Sequence, residues 1–158
     1  EGPWHFEQIF LGLNYRMNDI EAALGITQLE RLNKFINKRS QIVQIYNRNL
    51  KSLPIQFNKL NKDIKSSFHL YVIQINNKKT NFTQIELFNF LKKNNIDINI
   101  HYIPIHFHPY FKKMGFKKGQ FPVTENYYKN CISLPIYYSL KKYQQNRIIN
   151  LLRLFFNK

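Results

Sequence analysis

The apolar positions of the first third of the chain recur at the three- and four-residue spacing of a helix surface. This spacing predicts a first helix that begins after Asn18, a good N-cap residue, and a second from about Leu32 to Leu53, which Pro54 ends. Gly25 lies inside the first helix, where it costs about 1 kcal/mol relative to Ala. We interpret this glycine as a site of close approach by another backbone.

Beyond Pro54 the apolar positions alternate in short runs, as they do in half-buried strands. Residues 68–75 (FHLYVIQI) form the clearest run, and residues 96–100 alternate isoleucine with polar side chains. A third run, residues 132–136, contains Pro135, which favours a place at the edge of a sheet. The second half of the chain therefore contains a small sheet.

Helical patterns lie between and after these strands. Thr83 followed by Glu86 has the spacing of a capping box, and Ser139 is a cap residue ahead of the last pattern. The predicted helices span residues 83–94, 110–114, 122–130 and 140–156.

This order of elements, with short connections, predicts an α+β fold in which two opening helices precede a small antiparallel sheet packed with helices. We expect residues 1–53 to form a loop and helices that link to a further, large domain at an interface. Residues 54–158 should form a small C-terminal α+β domain. The chain begins without Met, and its polar, aromatic start suggests that an upstream part is missing.

The composition excludes several classes of protein. The net charge of +15 would suit a nucleic-acid partner, but the lysines are scattered. The chain is also rich in Asn, Ile, Phe and Tyr, which like Lys have A/T-rich codons, so we expect no nucleic-acid partner. No apolar run is long enough for a membrane span. The single cysteine, Cys131, is interpreted as a small buried residue and fits a cytoplasmic protein.

Two groups of side chains are candidates for chemistry. Asn14, Tyr15 and Arg16 are three consecutive hydrogen-bonding residues just ahead of a helix, and the segment HYIPIHFHPY (101–110) carries three histidines and two tyrosines. In the sequence, no carboxylate is near these histidines and no cysteine accompanies them, so we expect no metal site. From spacing alone, the histidine and tyrosine group is suited to contacts with a polar ligand.

The run GLNYRMNDIEAALGITQLERLNKFINKR, residues 12–39, resembles the DegT/DnrJ/EryC1/StrS family of sugar-nucleotide aminotransferases. The segments HYIPIHFHPYF and ISLPIYYSL resemble later parts of the same family. The resemblance covers essentially the whole chain but only the C-terminal two-fifths of such an enzyme. It implies the C-terminal part of a fold-type I transferase that depends on pyridoxal 5'-phosphate.

The resemblance also implies roles for individual residues. Asn14 would reach the cofactor phosphate of the neighbouring subunit in a homodimer. Tyr15 and Arg16 would lie at the same shared site, where the Arg16 fork suits a nucleotide diphosphate. The strand-end segment would line the substrate site with the side chains of His101, Tyr102, His106 and Tyr110.

The implied reaction transfers an amino group from glutamate to C4 of a UDP-linked 4-keto-6-deoxy-N-acetylhexosamine. Another sugar nucleotide, such as a dTDP-linked 4-keto sugar, is the alternative within this class, and a non-catalytic basic binding module is the alternative outside it. The Schiff-base Lys of the family belongs upstream and has no counterpart here. We therefore expect this chain to contain no catalytic residue and to be inactive alone.

Overall fold

The computed structural model describes residues 5, 7–13, 15–57, 60–61 and 63–157. Contacts group the chain into two compact units, residues 1–33 and 34–158. The predicted division at Pro54 concerns the organisation of a larger protein and stays a prediction. In chain order the helices and strands are α1 (Asp19–Leu50), β1 (Ile55–Phe57), β2 (Tyr71–Ile75), α2 (Gln84–Lys93), α3 (Pro109–Lys113), α4 (Pro122–Asn130), β3 (Cys131–Leu134) and α5 (Lys142–Phe156), with a 3-10 turn at Ile105–Phe107.

Helix α1 is one continuous helix, so the prediction of two opening helices was wrong. No proline or glycine occurs between Gly25 and Leu53, so nothing in the sequence interrupts the backbone hydrogen bonds. Its predicted start is confirmed: the Asn18 side-chain oxygen accepts from Glu21 N–H at 2.9 Å. The Glu21 carboxylate in turn accepts from Asn18 N–H at 3.2 Å, which completes a capping box.

Most of the large apolar side chains that are described in residues 1–33 are exposed. Ile20, Leu24 and Leu29, predicted to form the apolar face of the first helix, are all exposed. A Cβ atom built on Gly25 would meet nothing within 4 Å, so no other described backbone approaches this glycine closely.

The unit of residues 34–158 is built on a three-stranded antiparallel sheet in the order β1-β2-β3. Strand β2 is central, and its Ile73 pairs with Phe57 on one side and Ile132 on the other. Strand β3 ends before Pro135 and lies at the edge, as predicted from that proline.

Helices α1, α2 and α5 supply most of the remaining core. These helices bury apolar side chains at the three- and four-residue spacing of one face. The main core comprises Ile42, Val43, Tyr46, Leu50, Leu53, Ile55, Tyr71, Ile73, Ile75, Leu87, Leu91, Ile96, Ile98, Ile132, Leu134, Leu140, Ile148, Ile149, Leu152 and Phe155.

Polar contacts fix the second half of α1 against the sheet and α5. The Tyr46 hydroxyl donates to the Pro135 carbonyl at 3.0 Å, and its ring stacks on Tyr71 with centroids 4.9 Å apart. Burial raises the pKa of both phenols, so they stay neutral donors. The buried Gln145 amide donates to the Ile42 carbonyl at 2.7 Å, which joins α5 to α1.

Two predicted strands are shorter than their patterns indicated. The strand predicted over 68–75 begins at Tyr71, because Phe68 has a φ of 47° and its N–H donates to the Ser66 hydroxyl. The run 96–100 buries Ile96 and Ile98 as predicted, but it forms only one isolated bridge, Asn99 with Ser133. Buried and exposed side chains therefore alternate in residues 96–100, but the backbone forms no continuous row of strand hydrogen bonds there.

The helices after β2 follow their sequence signals closely. The capping box at Thr83 and Glu86 is confirmed, as is the helix from Pro122 to Asn130. The last helix begins at Lys142 with Lys141 at the N-cap position, so the prediction of Ser139 as its cap was wrong.

We predict that Thr83→Ala loosens the start of α2. Loss of an N-cap hydroxyl costs about 1 kcal/mol, which corresponds to roughly fivefold faster amide exchange in the affected turn. Amide hydrogen exchange of α2 in the intact protein measures this change. Thr27→Ala is the control, because Thr27 is an exposed residue inside α1 that caps nothing. Unchanged exchange in α2 of the Thr83 variant would contradict the capping role.

Candidate functional site

The segment His101–Tyr110 connects the end of the Asn99 bridge to α3 and carries four of the predicted site residues. His101 is half-buried, and its Nδ1 shares a hydrogen bond of 2.7 Å with the Ser133 hydroxyl. Ser133 is buried in β3 and also exchanges backbone hydrogen bonds with Asn99. The beginning of the segment is therefore fixed to the edge strand of the sheet.

His106 is the second point at which the segment 101–110 is fixed. It lies in the 3-10 turn, is 5% exposed, and its Nε2 lies 2.9 Å from Oε1 of Glu125, which is 6% exposed. A carboxylate can only accept, so Nε2 carries the proton of this hydrogen bond. The ring also contacts Phe107 and Phe121. The predicted site residue His106 is thus turned inward and packed.

The Glu125 carboxylate gathers donors from three parts of the chain. Its Oε1 accepts from His106 Nε2, from Gly119 N–H at 2.6 Å and from Phe121 N–H at 3.4 Å. Gly119 has a φ of 96°, a conformation that favours glycine. In this turn the Gly119 N–H is the group that donates to the carboxylate. One buried oxygen therefore joins the 3-10 turn, the Gly119 turn and the start of α4.

Burial by itself would raise the pKa of the Glu125 carboxyl, because it disfavours the charged form. The hydrogen bonds from His106, Gly119 and Phe121 stabilise the anion more strongly. The pKa therefore lies below its ordinary value of 4.5, and Glu125 is a carboxylate at neutral pH.

The remaining predicted site residues are on the surface. Tyr102 is 70% exposed and Tyr110 is 69% exposed, each with a ring packed edge-on against its neighbour in the chain. In the unit of residues 1–33, Tyr15 is 89% exposed and Arg16 is also exposed. Asn14 lies outside the described residues. The exposed phenols can donate and accept hydrogen bonds with a polar ligand.

A groove of about 330 Å³ lies beside the His106–Glu125 pair. Four exposed lysines lie nearby in the chain, on the end of α3 and on the turn that follows it. The aromatic walls suit an apolar or flat group, and the lysines favour an anionic one. The groove is lined by Ile105, His106, Phe111, Phe116, Phe121 and Thr124. The lysines are Lys112, Lys113, Lys117 and Lys118.

Sequence reasoning missed Glu125 and Ser133, which hold this segment. Glu125 lies in the first turn of a helix, where an acidic residue is ordinary. One signal was available: Glu125 is the only Asp or Glu after Asp97 in a strongly basic chain. An isolated acid among so many lysines is a candidate for a specific partner.

Within the described ranges, no three His, Cys, Asp or Glu side chains are grouped so as to hold a metal ion. No helix in that part of the chain is long and apolar enough to span a membrane. Cys131 is buried, and burial raises the pKa of its thiol.

Comparisons with known proteins relate the chain to aminotransferases. The sequence model of the DegT/DnrJ/EryC1/StrS aminotransferase family matches residues 3–153. A Campylobacter jejuni UDP-4-amino-4,6-dideoxy-N-acetyl-beta-L-altrosamine transaminase is 32% identical over 140 residues, covering 84% of this chain and 35% of that protein. A Vibrio cholerae GDP-perosamine synthase is 31% identical over 156 residues, covering 98% of this chain and 41% of that protein.

A solved structure confirms the predicted fold. Helicobacter pylori PseC, an aminotransferase involved in the biosynthesis of pseudoaminic acid, superposes with a TM-score of 0.83 at 29% identity. The superposition covers 99% of this chain and 42% of that one. The chain thus spans about two-fifths of the length of the proteins it matches and has the α+β fold of that part.

We predict that the Gly119 amide reports the protonation of Glu125. The folded-state pKa is lowered, so its hydrogen bonds stabilise the fold above the unfolded-state pKa and are lost as the pH falls through the lower folded-state value. The NMR shift of the Gly119 amide should therefore titrate with a midpoint below 4.5. Glu125→Gln is the control that removes this titration. A midpoint above 4.5 would contradict the assignment.

Proposed function

The chain belongs to the DegT/DnrJ/EryC1/StrS aminotransferase family, and we propose that it is part of a pyridoxal-phosphate-dependent enzyme that aminates a nucleotide-linked keto sugar. The family match over residues 3–153 is the observation that carries this proposal. Because the chain spans less than half of its relatives, the proposal concerns the whole protein to which these residues contribute.

The proposed substrate is a UDP-linked 4-keto-6-deoxy-N-acetylhexosamine, aminated at C4 with glutamate as the donor. The names of the Campylobacter jejuni and Helicobacter pylori proteins support an amino sugar of this type. The name of the Vibrio cholerae relative supports a GDP-linked sugar at nearly the same identity. A dTDP-linked 4-keto sugar is the further alternative. The nucleotide is therefore what the assay must decide.

The chain's own contribution to the proposed site consists of polar side chains on two exposed segments. Arg16 would pair with the nucleotide diphosphate, and Tyr15 would lie beside it. Tyr102 and Tyr110 are exposed and could hydrogen-bond the sugar, while His101 and His106 are held by Ser133 and Glu125. The exposed side chains would bind and orient the substrate, and the two held histidines would fix the segment that carries Tyr102 and Tyr110.

Pyridoxal phosphate would supply the electron sink for the amino transfer. Asn14 of one subunit is proposed to donate to the cofactor phosphate in its neighbour. In the sequence it directly precedes Tyr15 and Arg16, and both of these side chains are exposed. The lysine that binds the cofactor is expected in the portion of the relatives that this chain does not match.

The protein is proposed to act as a homodimer in the cytoplasm. The exposed apolar side chains of residues 1–33 support the homodimer, because burying them in a subunit interface would be favourable. The cytoplasm is proposed because Cys131, the single cysteine, is a free thiol, as is usual in a reducing compartment.

The deciding experiment assays the whole protein, loaded with pyridoxal phosphate, with glutamate and with UDP-, GDP- and dTDP-linked 4-keto sugars. Formation of 2-oxoglutarate with the UDP-linked sugar is expected. Turnover only with another nucleotide would overturn the proposed substrate. No turnover with any of them, together with nucleic-acid binding that weakens as the salt concentration rises, would favour the non-catalytic basic module instead.

We predict that Asn14→Ala weakens cofactor binding. A hydrogen bond to a charged phosphate contributes about 1.5–3 kcal/mol, so the dissociation constant should rise roughly 10- to 100-fold. Absorbance titration of the cofactor-free protein with pyridoxal phosphate measures this constant without any turnover. Asn33→Ala is the matched control, since Asn33 is an exposed asparagine within α1. Equal affinity in the Asn14 variant and the wild type would refute the role of Asn14.

A further inference from the structure

Within the unit of residues 34–158, one long stretch of the chain contributes no side chain to the main hydrophobic core. The members of this core include Ile96 and Ile98, and the next member along the chain is Ile132. All residues between Ile98 and Ile132 are described, and the buried side chains among them are mostly polar. Residues 99–130 therefore add no member to this core, although α4 contacts strand β2, and most of their buried side chains make polar contacts.

Two hydrogen bonds fix residues 101–106, one at each end of this short segment. His101 is bonded to the Ser133 hydroxyl, and His106 is bonded to the Glu125 carboxylate. Between these two fixed histidines lies Tyr102, whose ring is largely exposed. The position of the Tyr102 hydroxyl therefore depends on both contacts.

Of the two contacts, the one with Glu125 involves more hydrogen bonds and is more deeply buried. Its single oxygen accepts three hydrogen bonds, and both Glu125 and His106 are almost fully buried. Removing the carboxylate would leave three donors without this acceptor, and one of them, on the His106 ring, is buried. An unpaired buried donor is unfavourable, so movement of the segment that brings the ring to water would be favoured. The His106 ring also packs against the rings of Phe107 and Phe121.

We propose that Glu125 is a positioning residue for sugar-nucleotide binding: through His106 it holds the segment 101–106 so that Tyr102 is presented to the substrate. This inference rests on the proposed function, because it takes the substrate to be a nucleotide-linked sugar bound at this segment. Glu125 itself is buried and would not touch the substrate.

The kinetic test compares Glu125→Ala with Glu86→Ala in the whole, cofactor-loaded enzyme. Glu86 is a matched control: it is also a carboxylate in the first turn of a helix that accepts a backbone N–H, but it is exposed and belongs to α2. Misplacing a binding segment by about 1 Å can cost 10- to 100-fold, so the KM for the sugar nucleotide should rise by roughly that factor. The KM for glutamate should stay within about twofold, as for a substitution remote from its site.

Glu125→Gln provides the rescue. Its amide oxygen can still accept from Gly119 and Phe121, so its sugar KM should lie between those of the wild type and the Ala variant. If the Ala variant folds too poorly to be assayed, the Gln variant alone is the test, and its sugar KM should still exceed that of the wild type. An unchanged sugar KM, or an equal rise in both KM values, would overturn the positioning role.

A second measurement does not depend on turnover. Amide hydrogen exchange of residues 101–106 should accelerate in Glu125→Gln and Glu125→Ala but not in Glu86→Ala, while exchange in the central strand Tyr71–Ile75 stays constant. Unchanged exchange in residues 101–106 would overturn the inference even if the enzyme is active. If the wild type aminates no nucleotide sugar, the proposed function fails, and faster exchange would then show only that Glu125 holds the segment.

Discussion

A buried carboxylate that accepts three hydrogen bonds joins three parts of the region that contributes no side chain to the main hydrophobic core. The three-stranded sheet and helices α1, α2 and α5 bury enough apolar surface to hold their own residues. Between Ile98 and Ile132, the hydrogen bonds to Glu125 connect the 3-10 turn, the Gly119 turn and the start of α4. Since hydrogen bonds are directional, they fix the positions of particular side chains more narrowly than non-directional apolar contacts do.

This arrangement suits a surface that must be exposed and yet ordered. A segment that places its rings in the core cannot offer them to a ligand, and one without buried contacts would be mobile. The segment 101–110 avoids both outcomes by burying His106 while it exposes Tyr102 and Tyr110. The charged form of Glu125 is also favoured by its basic surroundings, because no other Asp or Glu lies nearby in the chain to raise its pKa.

The sequence predicted those elements whose signals are local. Thr83 with Glu86 and Pro122 mark helix starts within one turn, and both were found where predicted. Phe68 fitted a strand pattern, but its positive φ follows from the Ser66 turn that the pattern does not encode. Glu125 could not be recognised as buried, because its partner His106 is 19 residues away and the contact depends on how the intervening turns fold.

Helix α1 shows the same distinction between local and non-local information. Its start is fully specified by Asn18 and Glu21, and the absence of Pro and Gly after Gly25 lets it continue to Leu50. The use of its surface is not specified locally. Its second half is buried through Ile42, Val43, Tyr46 and Leu50, whereas the apolar side chains of residues 20–32 are exposed. A helix with one half packed and the other half apolar and open is what the proposed enzyme requires, since its interface and its cofactor contact would be completed by a neighbouring subunit.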